Sequence, residues 1–419
     1  MSNGLQVVVL PSRRAPIVTQ MVVYKVGSAD EVFGHTGIAH FLEHMMFKGT
    51  PTVGPGEFSR VIARNGGREN AFTDFDITGY HQTIASDRLE LVMRMEADRM
   101  ANLHIVEKEL TPERQVVLEE RRMRVDNVPS SLLDEVAREQ LFGKHRPYGM
   151  PVSGYVEDVK KYVPDDLTAF YKQHYAPNNA VLIVAGDTDG DAVRKLADKY
   201  YGPLAKRTVE ARQRPTDGGT DLPQRVLRAD PRVAETRWSR DYLAPSIRLG
   251  MSEGETRHAY PLAVLARLLG GSETSRLWRT LVLDRKVALS ASAGYSAASL
   301  GLTSFGFDAQ PARGSSIPEV ESALADEIKK LLDDGVTHEE VESAQNRMLA
   351  QAIYAQDSLA SGPRLYASVM STGGTVADVD AGPARVAAVT PADVLAAARA
   401  VLREDRAVTS LLTPAETSK

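Results

Sequence analysis

The sequence predicts an α+β protein made of two similar domains of about 200 residues, each a mainly antiparallel sheet covered by helices. Three features of the chain carry this expectation. Short β-rich runs alternate with amphipathic helical runs along its length. A polar segment with Pro and Gly, residues 211–224 (ARQRPTDGGTDLPQ), separates two stretches that use a similar order of elements. Finally, one helix-to-strand unit occurs twice. Pro164-Asp165-Asp166-Leu167 opens a helix that leads to the strand 180–184 (AVLIV), and Pro391-Ala392-Asp393-Val394 opens one that leads to 407–411 (AVTSL). Pro164 and Pro391 are separated by the same ungapped interval as Ala180 and Ala407. The expected division is a first domain over 1–210, a linker over 211–224 and a homologous second domain over 225–419.

The first domain opens on strands at 5–10 (LQVVVL) and 17–24 (IVTQMVVY), split by Pro11-Ser12-Arg13-Arg14. A helix follows over 37–47 (GIAHFLEHMMF), then a turn at Lys48-Gly49-Thr50. Residues 58–63 (FSRVIA) predict a short helix stopped by Asn65-Gly66-Gly67. Residues 70–83 predict a polar and aromatic strand pair, and 87–100 an amphipathic helix. Thr111-Pro112-Glu113 reads as a helix start, with Thr at the N-cap, Pro at the first helical position and an acid in the first turn. Beyond the linker come a short strand at 225–228, a longer one at 236–243, a helix over 260–269 and strands through Phe307. Another helix begins at Thr337, where Glu340 three residues on completes a capping box.

Composition narrows the function. The chain has 419 residues, 43% hydrophobic and 25% charged, which is ordinary globular usage. Its formal net charge of −5 gives no electrostatic case for nucleic acid or an anionic membrane. No apolar run approaches the ~18–20 residues that would span a bilayer. Residues 1–9 have neither a basic flank nor a long apolar segment, so no signal peptide is expected in this chain. There are no cysteines, which excludes a disulfide framework, a thiolate metal site and a thiol nucleophile, and suits cytoplasm or bacterial periplasm alike. A metal here must be held by His, Asp or Glu.

His40-Phe41-Leu42-Glu43-His44 is the informative segment. On a helix, positions four apart share a face, so both imidazoles reach one metal. Glu43 lies beside His44 and can serve a metal-bound water as general base, then hand the proton to a leaving amine. A catalytic zinc keeps three protein ligands and an open water position. With no cysteine and no further His pattern, the third ligand should be an acid. Glu120 and Glu113 are seven residues apart, two turns, on the helix that begins near Thr111. Glu120 is assigned to the metal and Glu113 to orienting its ligands. Glu119 points about 100° away and belongs with Arg121 and Arg122 on the solvated face. His35, just before the motif, reads as a loop residue near a helix start.

The inverted order His-x-x-Glu-His is the inverzincin signature. With GHTGIAHFLEHMMFKGT and the later PERQVVLEE, the chain resembles the pitrilysin family, in its small-subunit branch with the mitochondrial processing peptidase and its bacterial relatives. That resemblance implies two α+β domains, one zinc per chain in the first half, and a peptide substrate held between halves. It also implies that Gly66-Gly67-Arg68-Glu69-Asn70-Ala71-Phe72-Thr73 forms an edge strand to which substrate adds as a further strand, with Asn70 and Ala71 as contacts.

The function expected is a zinc-dependent endopeptidase acting on peptides or unfolded segments. In the family, the second half supplies an Arg and, seven positions later, a Tyr. Here those positions fall on Val282 and Leu289, and the nearby Arg285 and Tyr295 do not reproduce the spacing. The resemblance therefore implies a heterodimer with a homologous subunit that lacks the zinc motif and supplies the missing pair. A homodimer and a non-catalytic scaffold subunit of a larger complex are the competing expectations.

Overall fold

The computed structural model describes residues 1–215, 218–219, 223–248, 256–356, 358–359 and 361–415. The positions 216–217 and 220–222 of the expected linker lie outside the described residues.

In the first unit the elements read from the sequence appear in the expected order, with a further helix at Gly190–Tyr200 that was not read there. They are β1 (Gln6–Pro11), β2 (Ile17–Tyr24), α1 (Ile38–Met45), α2 (Glu57–Arg64), β3 (Arg68–Thr73), β4 (Thr78–Ala85), α3 (Leu89–Asn102) and α4 (Glu107–Arg121). After α5 (Pro129–Phe142), which belongs to the second unit, come α6 (Pro164–His174), β5 (Ala180–Gly186) and α7 (Gly190–Tyr200). The five-stranded sheet runs β1-β5-β2-β4-β3. Only β1 and β5 are parallel; the other three pairings are antiparallel. β5 is buried at every position, as its apolar run requires of a strand covered on both faces. The main core lies on the face that carries Val22, Tyr24, Tyr80, Leu182 and Val184, against Phe41, Leu42, Met45, Val92 and Leu167 from the helices.

The second unit repeats this plan. Its elements are β6 (Gln224–Asp230), β7 (Arg237–Ala244), α8 (Ala259–Gly270), β8 (Ala288–Tyr295), β9 (Thr303–Pro311), α9 (Ile317–Asp334) and α10 (His338–Gln356). After α11 (Ser361–Ser371), which belongs to the first unit, come α12 (Pro391–Val401) and β10 (Ala407–Pro414). The sheet order β6-β10-β7-β9-β8 is the first order transposed, again with one parallel pair, β6 with β10. The duplicated prolines open α6 and α12, each 11 residues long, and the duplicated alanines open β5 and β10. The two-domain α+β expectation is met.

The units are not continuous in sequence. One comprises Met1–Arg122, Met150–Arg212 and Tyr354–Val379; the other comprises Met123–Gly149, Gln213–Ile353 and Asp380–Lys419. Compared with a division at 211–224, two segments change sides. α11 buries Ala367 and Met370 against Val8, Met21, Val23, Val181 and Ile183, on the face of the first sheet that its main core leaves open. α5, with Leu133, Ala137, Leu141 and Phe142 buried, packs against β6, β7 and β10. An apolar helix stripe says that a helix packs, not on which sheet.

One element departs from the sequence reading. The helix expected to start at Thr111 begins four residues earlier, at Glu107, and Pro112 lies inside it. Fully buried Leu110 anchors this first turn, and Glu107 and Glu109 suit its positive end. Thr111 does not cap; its Oγ1 donates to Glu107 Oε1 at 2.5 Å. The bond that Pro112 cannot make would go to Lys108, which is exposed and can offer its carbonyl to solvent.

Candidate metal centre

α1 follows from its sequence. Ile38, Ala39, Phe41, Leu42 and Met45 are buried, leaving His40, Glu43 and His44 only partly buried. Its first turn is fixed by Glu31, whose carboxylate accepts from Gly37 N–H at 2.7 Å and Ala39 N–H at 2.9 Å. Gly37 is required there. Its φ is 81°, and an added Cβ would lie 2.8 Å from both Ser153 O and Gly154 Cα.

α4 lies against α1 and presents Glu113 and Glu120 toward it. His44 Nε2 is 3.0 Å from Glu120 Oε2, and His40 Nε2 is 3.7 Å from the same oxygen. The two imidazole rings are 4.9 Å apart between centroids. One ligand atom from each of His40, His44 and Glu120 lies within 4.8 Å of the others. Tetrahedral zinc with ligand bonds near 2.0–2.1 Å spaces its donors by about 3.3 Å, which the two measured separations bracket. Two imidazoles and a carboxylate are an appropriate donor set, and the residues fit the ion.

Glu113 meets the other side of the same ring, with Oε1 2.8 Å from His44 Nδ1. Its second oxygen contacts the Lys48 ammonium. A carboxylate on the far nitrogen fixes the tautomer that offers Nε2 to a metal. The electrostatics agree. Burial opposes a proton on His44, but Glu113 and Glu120 outweigh it and push its pKa up to about 9. Burial likewise opposes ionisation of Glu113, yet His44 and Lys48 hold its pKa below the usual carboxylate range. Glu119 is exposed and sits 3.6 Å from Arg122. His35 lies beside Tyr162, 6.4 Å between ring centroids.

Glu43 is approached from the sheet. Thr73, the last residue of β3, donates from Oγ1 to Glu43 Oε2 at 2.6 Å. Sequence reasoning gave Thr73 no role. The alternation of β3 was the available signal, since Thr73 must share a face with Ala71, which packs against the core that contains α1. Lys48 was likewise missed.

Among the described residues β3 ends the sheet, paired only with β4. Asp74 N–H donates to Ile77 O at 2.8 Å, which makes 74/77 a hydrogen-bonded pair. By antiparallel alternation 72/79 and 70/81 follow, so the main-chain groups of Ala71 and Thr73 point away from β4. Asn70 is exposed, and its Oδ1 accepts from Ala71 N–H at 2.9 Å. Its side chain leaves on the face opposite α1 and folds back over the open edge to reach Ala71 N–H.

In the second unit Val282 packs partly buried on the core and Leu289 is 52% exposed on β8. Arg285 is bound to Asp326 at 2.8 Å, and the Tyr295 hydroxyl donates to Pro245 O at 2.5 Å.

Comparison with known proteins gives consistent matches. Residues 7–149 match the family model "Insulinase (Peptidase family M16)", and residues 161–348 match "Peptidase M16 inactive domain". A zinc protease, PqqE, of Helicobacter pylori is 33% identical over 294 residues, covering 69% of this chain and 64% of that protein. An uncharacterized zinc protease of Mycobacterium leprae is 33% identical over 356 residues, covering 83% of this chain and 76% of that protein. Among solved structures, a protease from Helicobacter pylori superposes with a TM-score of 0.86 at 27% identity, over 99% of this chain and 98% of the other. An M16-like peptidase from Alicyclobacillus acidocaldarius shares the fold, with a TM-score of 0.86 at 21% identity over 99% and 97% of the chains.

Proposed function

This chain belongs to the insulinase family of peptidases, M16, and from that premise we propose that it is a zinc-dependent endopeptidase acting on peptides and unfolded segments. The observation that carries the reading is the double engagement of His44. Glu120 lies at Nε2 and Glu113 at Nδ1, while the adjacent Glu43 is held by Thr73.

His40, His44 and Glu120 hold one zinc in this reading. When bound, zinc supplies a Lewis acid for the scissile carbonyl and lowers the pKa of its water toward ~7. Glu43 takes the proton of the attacking water and delivers it to the departing amine. Thr73 keeps the Glu43 carboxylate turned toward that proton. Glu113 and Lys48 hold the His44 ring. The peptide lies along β3, where the outward main-chain groups at Ala71 serve as donor and acceptor, and the incoming strand replaces the Asn70 side chain on Ala71 N–H.

Val282 and Leu289 cannot donate a hydrogen bond to an oxyanion. A homologous subunit lacking the zinc motif supplies that pair in a heterodimer. A non-catalytic scaffold subunit is the alternative, and the inactive-domain match over 161–348 is compatible with it. The oriented Glu43 favours catalysis, since a scaffold has no use for it. The test is hydrolysis of an unstructured peptide before chelation, after chelation and after zinc is returned. Loss and recovery support the reading; hydrolysis that survives complete zinc removal overturns it.

A further inference from the structure

The two faces of β3 differ. Glu69, Ala71 and Thr73 face α1 and α2, whereas Asn70 and Phe72 face the side covered by α11. On that second face, Arg364 of α11 places its guanidinium 4.7 Å from the centre of the Phe72 ring. The ring itself lies across Gly79 of β4, where an added Cβ would be 2.5 Å from Phe72 Cζ. His81, the partner of Asn70 across the β3–β4 ladder, is close enough that burial and then the Arg364 charge lower its pKa. Arg364 and Asn70 are both exposed. Among the described residues no carboxylate pairs with Arg364. A guanidinium is thus stacked on an aromatic ring, open to solvent, one strand in from the free edge.

We propose that Arg364 selects an acidic side chain in the peptide. This rests on the strand-addition reading above. A strand that pairs with the outward groups of Ala71 directs the side chain opposite Ala71 to the metal side. The neighbouring residues of that peptide point to the α11 side, opposite Asn70 and Phe72. A Glu or Asp there faces Arg364, and a Lys there faces a like charge. The zinc side of β3 sets where cleavage occurs; the α11 side sets which peptides enter.

The experiment uses a series of unstructured fluorescent peptides with Glu, Gln or Lys at successive positions around one cleavage site. Dissociation constants are measured on the zinc-loaded Glu43→Gln protein, and turnover on the wild type. At positions facing α11, the Glu peptide binds about fivefold tighter than the Lys peptide, the range of an exposed ion pair. Arg364→Gln flattens the ratio and Arg364→Glu inverts it, with zinc content unchanged. An identical Glu-to-Lys ratio at every position in wild-type and Arg364 backgrounds overturns the proposal. Binding that shows the charge preference without any turnover by the wild type, either alone or mixed with a homologous subunit that carries the Arg and Tyr, upholds Arg364 and overturns the endopeptidase reading. Absence of peptide binding overturns both.

Discussion

The hydroxyl of Thr73 donates a 2.6 Å hydrogen bond to the carboxylate of Glu43, although the two residues belong to different kinds of element, an edge strand and a helix. The bond joins the strand proposed to take the peptide to the group proposed to take the proton. Thr73→Val removes the donor at nearly constant volume. The expected result is a fall in kcat of about tenfold, the size of one hydrogen bond to a charged group, with KM and zinc content near wild type. Thr73→Ser should restore most of the rate. A loss confined to KM, or no rescue by Ser, would contradict the positioning role.

Glu113, Glu119 and Glu120 of α4 should separate cleanly in a zinc competition assay. Glu120→Gln removes the third proposed ligand and should abolish tight binding. Glu113→Gln should weaken affinity about 10–100-fold by releasing the His44 ring. Glu119→Gln, exposed beside Arg122, should leave affinity unchanged. Loss of zinc from the Glu119 variant would show the helix phase to be misassigned.

Much of this centre was legible in the sequence because it is local. His40, Glu43 and His44 sit within one helical turn, and the Glu113–Glu120 spacing gave their common face without knowledge of where α4 begins. What was not legible depends on contacts between distant segments. Thr73 reaches Glu43 only because β3 ends beside α1. Thr111 resembled a cap, but the burial of Leu110 drew the helix start back to Glu107. The packing of α5 and α11 on the sheets of the opposite sequence halves left no local mark at all.

Stability should carry a signature of Asp241 on β7. Burial, then Asp308 and Asp134, push its pKa up to about 6, and its Oδ1 lies 2.6 Å from where a Cβ on Gly306 would be. The folded state therefore binds this proton more tightly than the unfolded chain. Asp241 stabilises below about pH 4, and that contribution, roughly 3 kcal/mol, is lost as pH rises through 6. Asp241→Asn should match the wild type at pH 4 and have the higher Tm at pH 7. A wild type that is the more stable at pH 7 would reverse the sign.

Mixing tests the proposed heterodimer. Peptide turnover by this chain alone should rise about 10²–10³-fold on adding a homologous subunit that carries the Arg and Tyr but no zinc motif. An isolated zinc-loaded chain whose rate does not change on mixing would end the heterodimer proposal.

The most direct test of the account is Glu43→Gln, with metal content and peptide turnover measured on the same sample. Gln keeps the shape and the contact to Thr73 but cannot accept a proton from water. The expected result is wild-type zinc content and turnover reduced by about 10²–10⁴. Turnover close to wild type at full zinc content would contradict it.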